Sequence, residues 1–222
     1  MADLQLTLLL EQLPLFKGLS HLELTELVGN TRLQFKQIGE KQTIIHENQP
    51  CQALHIITQG NCLITQTAAN SIYQISEQLA APTILQPHHL FGTAPHFTLQ
   101  ATAITPCTIL LIDKNEWMRL MEQQFAVRLN FLNLLAAELQ RKERQALLPP
   151  ATTIEQQFSH FVKHRCLHPA GQKIIRIKIN TLAELFHRHP RAVSAALHRL
   201  EQQQLLQLNR QRITIPQLEF LL

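Results

Sequence analysis

The sequence predicts an α+β fold in which an antiparallel β-roll, a long helix and a basic tail follow one another along the chain. Short β-branched runs separated by turn residues fill residues 39–113, and many short strands are typical of an antiparallel sandwich or barrel. Residues 124–147 contain no glycine or proline and carry apolar side chains at helical spacing. The last third alternates short helix and strand patterns and holds the basic surplus.

Composition excludes several classes of protein. The chain has 222 residues, of which 45% are hydrophobic and 16% charged, so it can bury the core of one large or two small domains. No apolar run approaches the roughly 20 residues of a membrane span, and Asp3 without a basic flank is unlike a secretory signal. The four cysteines are too far apart for a disulfide framework or a thiolate zinc site. We therefore expect a soluble, cytoplasmic protein that makes no membrane contact.

The charge is distributed unevenly. Residues 1–148 carry 10 basic and 12 acidic side chains, whereas residues 149–222 carry 10 and 4. The change coincides with the break Leu147–Pro150, where two prolines end any preceding helix. A basic segment of this kind is typical of a polyanion-binding domain. The predicted parts are a roll with an N-terminal helix over 1–113, a dimerisation helix over 114–148 and a nucleic-acid-binding domain over 149–222.

The roll is predicted from six runs with β-branched composition or period-two alternation. A short helix precedes them, and Ser20 with Glu23 three residues later fits a capping box. The runs are Thr43–His46, Ala53–Ile57, Asn61–Gln66, Ile72–Leu79, Thr98–Thr105 and Thr108–Ile112. A jelly-roll-like barrel of this size can enclose one small ligand.

Two helices are predicted after the roll. Asp113 can cap the first, Lys114–Glu122, and the second covers 124–147. The second has two apolar stripes, and a helix that is apolar on two sides must bury both. One stripe can cover the roll while the other meets a partner helix, so we infer a homodimer; burial of the helix within one chain is the alternative. The residues concerned are Phe125, Val127, Phe131, Leu132, Leu135 and Leu139.

The basic tail has the element order of a winged helix-turn-helix. The predicted elements are a helix over Thr152–Cys166, a strand over Ile174–Ile179, a helix over Thr181–Phe186 capped by Asn180, a turn at 187–189, a helix over Pro190–Gln204 and a basic hairpin around 209–211. In the last helix, Val193, Ala196, Leu197 and Leu200 recur at helical spacing and are expected to face the core.

The opposite side of that helix is small and polar, and such a face can enter a major groove about 12 Å wide. Arg191 is the best candidate for reading guanine, with Ser194 and His198 beside it. Basic residues on neighbouring elements are expected to contact phosphates. The complete predicted DNA-binding set is Lys178, Thr181, Arg188, His189, Arg191, Ser194, His198, Arg199, Arg210 and Arg212.

The order of these segments resembles the Crp/Fnr family of bacterial transcription regulators over roughly residues 10–220. The resemblance rests on Pro14–Ser20, Gly39 to Pro50, Leu54–Ile57 with Gly60, Leu90–Gly92, and Leu182–Phe186 followed by Val193, Ser194 and Leu197. It implies a dimer that binds a twofold operator near promoters, an effector that tunes DNA binding, and RNA polymerase as a partner. His187 stands where glycine is common in the family's turn, so we expect a positive φ there.

The resemblance also places the effector site, but with departures. The candidates near Phe-Gly are Phe91, Gly92, Thr93, His96 and Gln100. Members that bind cyclic nucleotides have a glutamate soon after Phe-Gly and an arginine for the phosphate, whereas here no lysine or arginine lies between Thr43 and Ile112. Burying a phosphate without a cation costs several kcal/mol. We therefore expect neither cAMP nor cGMP to bind.

The sequence also limits the set of other candidate cofactors. No cysteine precedes Cys51, so the iron–sulfur sensors of the family are not expected. His88, His89 and His96 leave haem open as an effector, and the absence of any effector is equally open. No metal site is predicted, because no pair of histidines has metal-ligand spacing with an acid.

Two alternative functions stay open from the sequence alone. One is a β-roll sensor that acts through protein contacts, which predicts no salt-dependent binding to duplex DNA. The other is a histidine-dependent cytosolic enzyme, but the sequence has no HExxH motif, nucleophile elbow or phosphate-binding glycine-rich loop. We therefore predict no catalytic residues and no enzymatic activity.

Overall fold

The computed structural model of the chain describes residues 2–147 and 149–221 and has the predicted α+β fold. Its helices are α1 (Ala2–Gln12), α2 (His21–Asn30), α3 (Lys114–Gln123), α4 (Phe125–Ala146), α5 (Ile154–Lys163), α6 (Ile179–Phe186) and α7 (Pro190–Gln202). Its strands are β1 (Gln34–Ile38), β2 (Thr43–Ile45), β3 (Ala53–Gln59), β4 (Asn61–Thr67), β5 (Tyr73–Ala80), β6 (Thr83–Leu85), β7 (Gln100–Ala103), β8 (Cys107–Asp113), β9 (Lys173–Ile177), β10 (Gln207–Asn209) and β11 (Arg212–Ile215).

The contacts within the chain divide it into two compact units. The first unit is formed by Met1–Cys62 and Leu79–Arg144, and the second by Leu63–Gln78 and Gln145–Leu222. The sequence analysis divides the chain into three consecutive parts, whereas here the segment Leu63–Gln78, from the middle of the predicted roll, groups with the C-terminal elements. Leu148, in the predicted break, lies outside the described residues.

The first unit is the roll with its helices. An antiparallel sheet has the order β1-β8-β3-β6, and β2 pairs with β7. The period-two pattern places Phe97, Leu99, Ala101 and Ala103 in the interior, where each is almost completely buried. The caps of its helices are as predicted: Ser20 and Glu23 form a capping box, and the Asp113 carboxylate accepts from the Asn115 backbone N–H.

Several elements differ from the prediction. Helix α1 and strands β1 and β6 are not among the predicted elements. Strand β1 shows no alternation of apolar and polar residues, because all but its last residue are exposed. Helix α5 is shorter than the predicted Thr152–Cys166, and Thr153 is its N-cap in a capping box with Gln156. The prediction of Asn180 as a cap is wrong: α6 begins at Ile179, so Asn180 lies within the helix.

The second unit is a helical layer packed on an antiparallel sheet. In this sheet, β11 pairs with both β10 and β9, and β5 pairs with the other edge of β9. Strand β5 joins this sheet as one arm of a hairpin with β4. Its Ile75 side chain lies opposite Ile175 inside the core of this unit. The four predicted core residues of α7, Val193 among them, are all buried there.

A buried ion pair joins β5 to β9. The Lys173 ammonium lies 2.7 Å from a carboxylate oxygen of Glu77, and both side chains are at most 2% exposed. The backbone N–H groups of Leu167 and His168 also donate to this carboxylate, at 2.6 and 3.1 Å. The ammonium donates as well to the Ala170 carbonyl oxygen. This arrangement satisfies both charges, as a buried pair requires.

Over the described part of the chain, none of the helices combines the length and apolarity that crossing a membrane requires.

Candidate nucleic-acid interface and effector region

The turn between α6 and α7 is closed by local hydrogen bonds. The Arg188 backbone N–H donates to the Ala183 carbonyl and that of His187 to Glu184, a Schellman-type ending. His187 occupies the left-handed region with φ +53°, as the sequence predicts for a residue in place of glycine. Pro190 then begins α7 at a favourable first position. The two helices are therefore held at a sharp, short turn.

The N-terminus of α7 is capped by an imidazole. Nδ1 of His189 accepts from the Arg191 backbone N–H at 3.2 Å, which requires this nitrogen to be unprotonated. The Arg191 side chain is exposed beside this cap, and the backbone donors of the first turn also favour negative charge there. His189 thus positions the first turn of α7.

The outward face of α7 carries the predicted side chains. Arg191 and His198 are exposed and Ser194 is half-buried. The His198 Nδ1 lies 3.2 Å from one carboxylate oxygen of Glu201, whose other oxygen accepts from the Leu208 backbone N–H at 2.7 Å. The hydrogen bonds from Leu208 and then from His198 lower the pKa of Glu201. Glu201 therefore links the outward face of α7 to the start of the β10–β11 hairpin, which is called the wing below.

Two of the predicted phosphate contacts have partners within the unit. The Arg199 guanidinium donates to a Glu155 carboxylate oxygen, with Nε at 2.8 Å. Burial opposes ionisation of Glu155, but hydrogen bonds from its own backbone N–H and from Arg199 outweigh this and lower its pKa. The Arg188 Nε donates to the Gln157 side chain at 3.4 Å. Arg199 is therefore less available to a phosphate than the other predicted cations.

The remaining predicted residues line two adjoining clefts. A cleft of about 340 Å³ lies between α7 and the wing, and its walls include Lys178, Ser194, His198 and Arg212. A second cleft, of about 630 Å³, shares Lys178 and Arg212 with the first and adds Thr181 and Arg210. The structure thus brings Lys178, which precedes α6, onto one surface with Arg210 and Arg212 and with two side chains of α7.

Two residues on this surface are absent from the predicted DNA-binding set. Arg176 and Gln74 line the second cleft together with the tip of the β4–β5 hairpin. The signal for Arg176 is present in the sequence, because it alternates with the buried Ile175 and Ile177. Gln74 has no such signal, because its position depends on the pairing of β5 with β9.

The predicted effector residues are not gathered into an enclosed site. Gly92, Thr93, His96 and Gln100 are exposed, because the alternation that buries Phe97 and Leu99 turns His96 and Gln100 outward. Phe91 instead packs against a helix: its ring lies 5.9 Å from that of Phe131 on α4.

His88 joins the same segment to α4 through a contact with Glu138. Its Nδ1 lies 2.8 Å from a carboxylate oxygen of Glu138, and its ring lies 4.3 Å from that of His89. Burial alone would raise the pKa of Glu138, but the His88 contact and the nearby Lys142 and Arg141 lower it. Burial, followed by the charge of His88, lowers the pKa of His89.

The two stripes of α4 have different surroundings. Val127 and Phe131 are buried within the unit, where the Phe131 ring also packs against Trp117. Phe125, Leu132 and Leu139 are exposed by 66, 56 and 59%, and Leu135 is half-buried. Exposed apolar residues seven positions apart are typical of a helix that meets a partner.

The described residues contain no group of three or more histidine, cysteine, aspartate or glutamate side chains able to hold a metal ion. The four cysteines are free and buried. Burial raises the pKa of Cys62 to about 12 and that of Cys51 to about 11, so both are protonated thiols at neutral pH.

Comparison with known proteins agrees with this architecture. Residues 35–124 match the cyclic nucleotide-binding domain family. The solved structures that resemble the chain include the catabolite activator protein of Thermus thermophilus, at TM-score 0.51 and 17% identity, covering 91% of this chain and 93% of that one. They also include the sensor domain of the transcriptional regulator DNR from Pseudomonas aeruginosa, at TM-score 0.55 and 17% identity, covering 68% and 98%. No curated protein matches the sequence significantly.

These findings support the predicted architecture. Residues 35–124 match the cyclic nucleotide-binding domain family, and the chain shares the fold of the Thermus thermophilus catabolite activator protein. The predicted resemblance and the predicted fold class are confirmed.

Proposed function

We propose that this protein is a homodimeric, sequence-specific DNA-binding transcription regulator of the Crp/Fnr type. The observation that carries the proposal is α7, whose polar face is exposed beside a cationic wing while its apolar face is buried. A helix of this kind is suited to reading base edges in the major groove, while the surrounding cations position it on phosphates. RNA polymerase is proposed as a partner on the family resemblance alone, and a cytoplasmic location follows from a DNA partner.

The dimer is proposed from the exposed stripe of α4. Phe125, Leu132 and Leu139 form a row that water would otherwise solvate at a cost proportional to its area. A second copy of the same helix would bury this row with matching side chains in a twofold arrangement. Replacement of Leu132 by glutamate should then convert the dimer to a monomer, which sedimentation velocity would detect.

The effector is proposed to be something other than a cyclic nucleotide. The domain family includes proteins that bind such ligands, but residues 43–112 of this chain contain no lysine or arginine to neutralise a phosphate. Phe97 and Leu99, which follow the Phe-Gly segment in the chain, are apolar and fully buried. The residues present therefore do not fit a cyclic phosphate. Haem remains an untested candidate, as does regulation without any effector.

Enzymatic activity is not part of the proposal. Solved structures that share the fold include a catabolite activator protein and the sensor domain of a transcriptional regulator. His88 is in contact with Glu138 and lies beside His89.

Binding to duplex DNA tests the central claim. A selection from random duplexes, followed by fluorescence anisotropy, should give a preferred site with twofold symmetry and an affinity that falls steeply with salt. Arg191→Ala should lower the affinity for that site more than for a random duplex, by about 1–3 kcal/mol of discrimination. Lys41→Gln removes an exposed cation of the first unit and serves as the charge-matched control. Absence of salt-dependent duplex binding would instead favour a sensor that acts through protein contacts.

Calorimetric titration with cAMP and cGMP tests the effector claim. We expect no heat of binding for either nucleotide at concentrations up to millimolar, because a buried phosphate would have no cationic partner. Affinity near micromolar for either one would contradict this prediction, and its effect on DNA affinity would then identify it as an effector.

A further inference from the structure

We propose that the tip of the β4–β5 hairpin, with Arg176 on β9, extends the DNA-binding surface of the C-terminal unit and contacts the phosphate backbone of duplex DNA. The inference rests on the proposed function, which it deepens by naming a second contact region. The site is the cleft of about 630 Å³ between the hairpin tip and the wing.

The first observation is the charge of this cleft. Four cations line it: Arg176, Lys178, Arg210 and Arg212. No carboxylate is among its lining residues, and across the described ranges none of the four cations has an ion pair. All four side chains are exposed. An anion that entered the cleft would therefore meet cations without having to displace an existing partner.

The second observation is the register of the sheet. Arg176 on β9 lies directly opposite Arg212 on β11, and like charges facing each other across two strands destabilise the pairing. On the other side of Arg176, β5 places Gln74, which offers no charge to offset them. A row of two arginines that nothing neutralises within the unit suits a site at which an external anion supplies the missing charge.

The third observation is continuity with the recognition face. The cleft shares Lys178, Gln211 and Arg212 with the neighbouring cleft, whose other wall is formed by Ser194 and His198 of α7. A duplex seated on α7 would thus have its backbone beside the shared cations. The repeated phosphates of a duplex match a row of cations better than a single small anion does, so we assign the cleft to DNA.

The tip of the hairpin contributes polar side chains to the cleft. Asn70 and Ser71 at the tip line the cleft, and both have left-handed backbone conformations with φ of 56° and 53°. Their side chains are of the types that position proteins on phosphates without reading sequence. The hairpin is therefore expected to add affinity and to leave base preference unchanged.

Two substitutions of Gln74 test the assignment directly. Gln74→Glu places a carboxylate opposite Arg176 with little change in shape, and Gln74→Lys adds a cation. One phosphate contact contributes about 0.9 to the slope of log affinity against log salt, which is about fivefold in affinity at 0.15 M salt. Gln74→Glu and Arg176→Gln should each weaken binding by about this factor and reduce the slope by about one, whereas Gln74→Lys should strengthen and steepen it.

Controls separate this role from folding and from base recognition. The reductions should be equal for the selected site and a random duplex, whereas Arg191→Ala should change their ratio. Lys41→Gln should leave affinity and slope unchanged, and far-UV circular dichroism with urea unfolding should show each variant folded. Arg176→Lys, which keeps the charge, should retain the wild-type slope.

The outcomes distinguish the two proposals. Wild-type affinity and slope in both Gln74 variants, together with a loss in Arg191→Ala, would overturn the hairpin assignment and leave DNA binding intact. No duplex binding by the wild-type protein would overturn both. Calorimetry with tripolyphosphate provides the last arm: micromolar binding that requires Arg176, with DNA affinity unaffected by its loss, would assign the cleft to a free polyphosphate and overturn the DNA contact.

Discussion

The two faces of the β5–β9 strand pair differ in whether the cation on β9 lies opposite a carboxylate on β5. On the inner face, Glu77 lies in register with Lys173, and the two form a buried ion pair that two backbone N–H groups complete. On the outer face, Gln74 lies in register with Arg176, and no carboxylate is placed opposite the arginine. The same pair of strands therefore neutralises one cation completely and leaves the other exposed without a partner.

The difference follows from the cost of each arrangement. An unpaired ammonium in the interior would lose its hydration, with an effective penalty of several kcal/mol. An exposed arginine keeps its water, and its repulsion from a neighbour is weak and screened by salt. Exposed cations without partners can therefore be retained for a ligand, whereas a buried cation must be neutralised from within the fold.

The largest expected effect follows from removing the buried carboxylate. Glu77→Ala should lower the free energy of unfolding of the C-terminal unit by about 3–5 kcal/mol, because it leaves the Lys173 ammonium buried and unpaired. Urea unfolding followed by far-UV circular dichroism measures this loss. Trp117 is the single tryptophan and is buried in the first unit, so its fluorescence midpoint should move much less.

The matched control removes the charge on both sides. The double variant Glu77→Gln with Lys173→Met should recover most of the loss, because an amide oxygen can still accept from Leu167 and methionine occupies a similar volume. A single Glu77→Ala variant that costs less than about 1 kcal/mol would contradict the importance of the pair.

A smaller effect is expected from acidification, which adds charge to this basic unit. His164 is exposed, but its ring is partly buried. This partial burial, followed by the charges of His160 and Arg165, lowers the pKa of His164 from its ordinary value of 6.5. As the pH falls through 6.5, the unfolded chain takes up this proton first, so the stability contributed by His164 is present above that pH and is lost on acidification. His164→Gln should reduce the fall in urea midpoint between pH 7.5 and 5.5, and an unchanged fall would show that another group is responsible.

The smallest expected effect has the opposite sign. Arg212→Gln should raise the stability of the unit by no more than about 0.5 kcal/mol in the absence of DNA, because it removes a like-charge pair across two strands. Screening should abolish the gain near 1 M salt. Unfolding at low and high salt measures this difference, and destabilisation at low salt would mean that the arginine has an internal partner.

Local patterns account for much of the fold and for the recognition helix. The spacing of Val193, Ala196, Leu197 and Leu200 predicts both the buried side of α7 and the exposed side with Arg191 and His198, and the structure confirms it. The positive φ of His187 is likewise a local property of a tight turn. Both are decided within a few residues, where side-chain periodicity and backbone sterics dominate.

Two other local predictions fail because the structure differs from the pattern in the sequence. Strand β1 carries exposed side chains at four of its five positions, so it shows no apolar alternation. Asn180 is a good capping residue by type, but the backbone enters the helix at Lys178, so the amide lies inside the first turn. The residue at which a helix or strand begins or ends depends on the direction from which the backbone enters it. Neighbouring elements set that direction.

The sequence by itself determined the secondary structure of the C-terminal elements, their basic character and the absence of a cation for a cyclic phosphate in residues 43–112. Tertiary structure alone decided that the hairpin carrying Gln74 and Glu77 joins the sheet of that unit. It also decided that Arg199 binds Glu155 while Arg176 lies opposite Arg212 and Gln74 in the sheet. The physical reason is that strand pairing and ion pairing join residues far apart in the chain, here by 96 positions for Glu77 and Lys173, and no local period encodes such a partner.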